Sequence, residues 1–223
     1  MMTDTTVTWR LIGTAWPEHM NRPLALAAYE NMKQVGLPQW SEADQTLARA
    51  VQAEVGSPAR GLASTIGRLG EEVPLAQRRG GGGDDIGDVS WTVPTILMSY
   101  PANIPGAPGH TWAASVAMAT PIAHKGATAG AKALAMTTLD VLLKPALVTD
   151  AWDYFRNVQT KDQKYTSFVG KDDAPATYVN AKPMAEYRDR MRQFYYDPTR
   201  YKTYLDQLGI KYPTVRPAAA GAR

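Results

Sequence analysis

Apolar positions along the 223-residue chain change period several times. From Thr6 to Ile12, Val7, Trp9 and Leu11 alternate with Thr8 and Arg10, which predicts a strand. After a turn-rich stretch the period lengthens. Leu24, Ala27, Ala28 and Met32 stand at helical spacing behind Pro23, with Asn21 or Arg22 as the cap and Gly36 and Pro38 as the stop. Ser41 opens a second helix, with Glu42 and Asp44 in the first turn, where the helix dipole favours acids. Leu47, Ala50, Val51 and Glu54 carry it to Gly56 and Pro58. Residues 57–84 read as a long loop, rich in glycine and ending in four consecutive glycines. Thr95 to Tyr100 is a short apolar run behind Pro94, predicted as a buried strand, and Pro101 to Gly109 is a loop ending at His110. Thr120-Pro121 opens the strongest helix, with Ala131, Leu134, Ala135, Leu139, Leu142 and Leu143 forming one apolar stripe up to Pro145. Helices are also predicted over Ala146–Phe155, Pro183–Tyr196 and Pro198–Leu208, before an Ala/Gly tail from Arg216 to Arg223.

Composition adds exclusions. Hydrophobic residues make up 44% and charged residues 20%, ordinary values for a globular chain. The formal charge is only +3, and Lys and Arg are interspersed with acids, so no nucleic-acid partner is expected. The absence of cysteine excludes disulfides, a thiol nucleophile and thiolate metal sites. No apolar run approaches the ~18 residues of a membrane span, and Met1–Arg10 lacks the apolar core of a signal peptide. A cytoplasmic location is expected, or a periplasmic one if a signal lies upstream.

Candidate chemistry clusters around histidines and acids. His110 follows Gly109 in a loop after a predicted strand, a common place for sites in α/β sheets, and reads either as a ligand or as a solvent-exposed loop residue. His124 stands at the start of the long helix, either orienting a substrate or hydrogen-bonded within the structure. His19 reads as surface. The run Gly80–Gly83 is not a phosphate loop, because no Gly-Lys-Ser/Thr follows it.

Three segments in order carry a resemblance: Asp85-Ile86-Gly87-Asp88-Val89-Ser90-Trp91 with Val93-Pro94-Thr95; Pro108-Gly109-His110-Thr111-Trp112; and His124-Lys125-Gly126 with Ala131-Lys132, Ala135, Thr138 and Leu139-Asp140. Together they resemble the C-terminal portion of the zinc-dependent amidohydrolases of peptidase family M-twenty, in the aminobenzoyl-glutamate utilisation protein B group. The likeness runs over roughly residues 7–155. It implies an α/β fold, a partial zinc-peptidase-like catalytic domain with a sheet flanked by helices, and a helical C-terminal extension. Residues 1–22 then end an inserted lid and dimerisation domain, 23–155 form the C-terminal part of the catalytic domain, and 156–223 are a Tyr-rich extension.

The resemblance also implies an activity. Such enzymes hydrolyse an amide bond of an acyl-amino acid or aminobenzoyl-glutamate-like substrate, using two zinc ions and a carboxylate general base. His110 matches a metal ligand. His124 and Asn21 match substrate-binding positions, with a structural histidine and a helix cap as the alternatives. Asp85 and Asp88 match the acidic segment in which one residue hydrogen-bonds a ligand histidine from behind, with Asp85 as a helix cap the alternative. Gly83 and Asp84 depart from the small hydroxyl residues of the family, and the pair Glu71-Glu72 lies on the wrong side of the lid to supply the base. The base, the bridging acid and most of the metal ligands are expected upstream, so the chain is expected to be inactive alone. Its expected partners are a small amide substrate, the missing N-terminal half and, in the complete enzyme, a second copy. The alternatives are a catalytically dead binding or dimerisation module, a truncated relic, or an unrelated α/β domain.

Overall fold

A computed structural model describes residues 5–8, 11–71, 73–74, 77 and 84–216. Its helices are α1 (Arg22–Val35), α2 (Glu42–Glu54), α3 (Asp85–Ser90), α4 (Trp112–Met118), α5 (Pro121–Leu143), α6 (Pro145–Tyr154), α7 (Ala181–Arg192) and α8 (Tyr204–Gln207). A π-turn, Phe155–Gln159, continues α6, and a 3-10 turn, Thr177–Asn180, precedes α7. No described helix is long and apolar enough to cross a membrane.

The α/β expectation is overturned: among the described residues there is no strand and no sheet. Thr95–Tyr100 is extended, but a strand exists only through a ladder with a neighbour, and no second extended segment pairs with it. Pro94 and Pro101 bracket the run without amide donors, and Leu97 is 52% exposed. Of the first predicted strand, Trp9 and Arg10 lie outside the described residues; Val7 and Ile12 are exposed and unladdered. The four glycines, Glu72 and the tail beyond Arg216 also lie outside them.

The helices follow the predicted stops and starts more closely. Gly36, with φ 71°, closes α1 in the left-handed conformation that glycine tolerates, and its N–H returns to Met32 O at 3.0 Å. Helix α8 covers only four residues of the predicted Pro198–Leu208 helix. Asp197 instead takes the Thr199 N–H and hydroxyl in a tight turn, and the Thr203 side chain caps α8.

The chain divides into two compact units. The first is drawn from Met1–Leu24, Glu71–Ile96 and Ala146–Tyr195. At its centre the buried Trp16 ring packs on Trp91, Tyr165 and Phe168, with centroids 5.0, 5.5 and 5.5 Å away. The second is drawn from Ala25–Gly70, Leu97–Pro145 and Tyr196–Arg223. Its core joins Leu47, Ala48 and Val51 of α2 to Leu62, Ile104, Ala117 of α4 and Ile122 of α5. Buried Gln52 ties two loops to this core, donating to Gly61 O and Pro105 O and accepting from Gly61 N.

Candidate functional site

His110 belongs to the second unit. It is exposed, immediately before α4, and its φ of 56° is left-handed, the one such non-glycine among the described residues. That backbone costs a side chain-bearing residue about 1–2 kcal/mol. The Thr111 hydroxyl, donating to Pro108 O at 2.8 Å, braces the turn. Among the described residues no group of three or more His, Cys, Asp or Glu is placed to hold a metal.

The triplet His124-Lys125-Gly126 lies in the first two turns of α5, and its members face three environments. A Cβ on Gly126 would come 2.1 Å from Pro101 O and 2.5 Å from Ala102 Cα, so the missing side chain is what lets α5 lie against that backbone. Lys125 reaches α2, where its ammonium contacts Asp44 at 2.5 Å. His124 is exposed and lines a groove of about 740 Å³ together with Lys132 and the Val35–Gln39 stretch.

Asp44 is fully buried. It begins as half of a capping box: the Ser41 N–H and hydroxyl donate to its Oδ2 at 2.7 and 2.8 Å, and Asp44 N donates back to Ser41 Oγ. Its Oδ1 accepts the Tyr212 hydroxyl at 2.7 Å. Burial pushes the carboxyl's pKa up, but Lys125, Ser41 and Tyr212 outweigh it and hold Asp44 below the usual carboxylate range. Burial, and then the Asp44 carboxylate itself, push the Tyr212 phenol well above its ordinary value.

Asn21, Asp85 and Asp88 belong to the first unit. Asn21 is fully buried. Its amide N–H groups donate to Ala151 O and Gln159 Oε1, its backbone N–H donates to Thr95 O, and its Oδ1 accepts from Leu24 N at the start of α1. Asp85 is exposed in the first turn of α3, while Asp84 is the residue that caps it, accepting from Ile86 N at 3.0 Å. Asp88 accepts from Trp16 N at 3.2 Å and from the Tyr165 hydroxyl at 2.9 Å. A Cβ on Gly87 would meet Trp16 O at 1.8 Å, Ser90 Oγ accepts from His19 N, and Trp91 Nε1 donates to Pro17 O. The segment from Asp85 to Trp91 is therefore a plate on which residues 16–19 are docked. His19, expected at the surface, is buried against the Trp91 ring.

One curated relative fits this pattern. Over 197 residues the chain is 29% identical to the B subunit of p-aminobenzoyl-glutamate hydrolase from Escherichia coli (strain K12). The chain is similar to that protein. The match takes in 79% of this chain and 41% of the relative's length. No family model matches, and no solved structure matches.

Sequence reasoning reaches the internal contacts of these segments only in part. Ser41 and Asp44 signal a helix cap, but nothing in their spacing announces that Asp44 also receives Lys125 and Tyr212 from 81 and 168 positions away. Lys132 stands out in the sequence only through the resemblance, and its place beside His124 emerges from the groove.

Proposed function

We propose that this chain is part of a metal-dependent amidohydrolase that cleaves the amide bond of an aminobenzoyl-glutamate-like or acyl-amino acid substrate. The observation that carries this reading is the similarity to the E. coli p-aminobenzoyl-glutamate hydrolase along 79% of the chain. The exposed, left-handed His110 supports it, since backbone strain of this kind concentrates at functional positions. In this reading His110 is one ligand to zinc. Among the described residues no group of three or more potential ligands is placed to hold a metal, so the described residues do not by themselves fit two zinc ions. The other ligands and the general base belong to polypeptide outside it, and the complete enzyme is a homodimer.

The test joins the chain to the part of the E. coli protein that the match leaves uncovered and follows release of 4-aminobenzoate from p-aminobenzoyl-glutamate. The joined protein is expected to hydrolyse the amide, the chain alone to be inert, and His110→Ala to abolish the joined activity. A correctly folded joined protein without activity overturns the reading. It would favour the second one, a binding or dimerisation module, for which the exposed α5 leucines speak: Leu142 and Leu143 are 71% and 74% exposed.

A further inference from the structure

We infer that the outer face of α5 is an interior surface of the complete enzyme, covered by an apolar, uncharged stretch of the polypeptide that lies outside this chain. At about 100° per residue, Leu134, Leu139, Leu142 and Leu143 fall on the half of α5 opposite Gly126, Ala129 and Ala133. The small residues are buried, and all four leucines are more than half exposed. A helix that is apolar on both sides belongs to the interior of a larger body or of a membrane. The second home is excluded, because α5 is not long and apolar enough to cross a membrane. One exposed leucine is ordinary; four on one half of a helix within ten residues mark a contact surface.

Charge decides the kind of partner. Between Ala133 and Leu143 the single ionisable side chain is Asp140, which sits on the inner half and accepts from Asn31 Nδ2 at 2.9 Å. That stretch of the outer half carries no charge to steer a transient partner, which suits a permanent contact resembling a domain core. Size decides between a second copy and further chain. The strip from Leu134 to Leu143 is about 15 Å long, and alone it falls short of the roughly 800 Å² that each partner of a standard interface buries. A segment of the same polypeptide is held at millimolar effective concentration or above, and so needs less area. The inference rests on the reading of this chain as part of a larger hydrolase, more than half of whose E. coli relative lies outside the match.

The chain has no cysteine, so Leu143→Cys gives it one thiol, on the outer face. Maleimide uptake by the peptide carrying that thiol is followed by mass, in the chain alone and in the joined protein described above. The thiol is expected to react in the chain alone nearly as fast as in urea, and roughly tenfold slower or more in the joined protein. Equal rates in the two proteins overturn the inference. Protection already present in the chain alone, together with sedimentation as a dimer, places a second copy on the face and also overturns it. Where the joined protein does not melt cooperatively, the double variant Leu142→Gln/Leu143→Gln of the chain alone decides. Its thermal midpoint is expected to stay within about 2 °C of the parent's, as for other surface substitutions; a larger fall would make the leucines part of this chain's own core and sink the idea. Protection without amide hydrolysis upholds the covered face and counts against the proposed function, and hydrolysis without protection does the reverse.

Discussion

The Lys125 ammonium lies 2.5 Å from the Asp44 carboxylate, across 81 residues of chain. The Asp44 side chain has no exposed surface, while Lys125 keeps 35% of its own. The carboxylate therefore depends on its partners, whereas the lysine could be solvated without it. Removing the lysine strands a buried charge with neutral donors only. Lys125→Met is expected to destabilise the second unit by about 2–3 kcal/mol, below the usual penalty for a fully buried pair because Lys125 is partly wet. Urea denaturation checks this, and a loss under ~0.5 kcal/mol would show the pair to be incidental.

The same carboxyl sets an acid limit. Its folded pKa is depressed, so the folded chain binds fewer protons at Asp44 than the unfolded chain does near the ordinary value of about 3.9. Stability from Asp44 is thus complete above that value and is lost as pH falls through the lower folded one. Denaturation midpoints should be flat above about pH 5 and fall steeply below about pH 4. Asp44→Asn should blunt the fall without removing it, because Lys144, then Asn31, depress Asp140, and Thr199 depresses Asp197. Tyr212 works in the opposite direction: its raised pKa gives stability that is present below about pH 10 and lost above it, so Tyr212→Phe should flatten the alkaline limb.

Two glycines of α5 should respond differently to alanine. Alanine favours a helix by about 1 kcal/mol over glycine. At Gly126 the new Cβ would meet backbone at 2.1 Å, and neither α5 nor the Pro101 carbonyl can yield cheaply. Gly126→Ala should cost about 2 kcal/mol net. At Gly130 the nearest atom is Tyr100 Cβ at 3.2 Å, and Gly130→Ala should fall within about 0.5 kcal/mol of the parent. Thermal midpoints of the two variants give the comparison, and equal effects would mean that Gly126 is not a packing glycine.

His110 is expected to show stability and function pulling apart. Glycine there relieves left-handed strain of about 1–2 kcal/mol but adds back up to about 1 kcal/mol in unfolded-chain entropy. His110→Gly should therefore stabilise the chain by about 0.5–1 kcal/mol while eliminating hydrolysis in the joined protein. A destabilised variant would mean that the imidazole is a structural contact rather than a displayed group.

Helix boundaries are legible because they are written locally. Ser41 with Asp44, Thr120 with Pro121, and Gly36 each fix a boundary within four residues. The expected sheet fails because Thr95–Tyr100 has the composition of a strand but no partner, and partnership is not encoded in the segment itself. Burial on α5 is illegible for another reason. The leucines of its apolar stripe, Leu134, Leu139, Leu142 and Leu143, are exposed, and the buried face is Ile122, Ala123, Gly126, Ala129, Ala133 and Thr137. Close backbone approach through small residues outweighs the size of the side chains there, and a hydropathy pattern does not register it. Of the candidate positions, Asp88 and Asn21 announce themselves as polar residues in motifs, but their partners Trp16, Tyr165 and Gln159 lie up to 138 residues away.

The π-turn at Phe155–Gln159 governs how this chain can change length. Thr160 N reaches back five residues to Phe155 O, where a regular helix would reach four, so the turn holds one residue more than its flanks need. That surplus turns Gln159 to donate to His19 O at 2.6 Å and to accept from Asn21. Deleting a single residue here would give a more regular helix, yet it would rotate everything beyond by about 100° and withdraw the glutamine. A shortening that looks harmless on a helical wheel would undock the first unit's N-terminal segment, which makes the length of this turn a more exacting constraint than the identity of most residues within it.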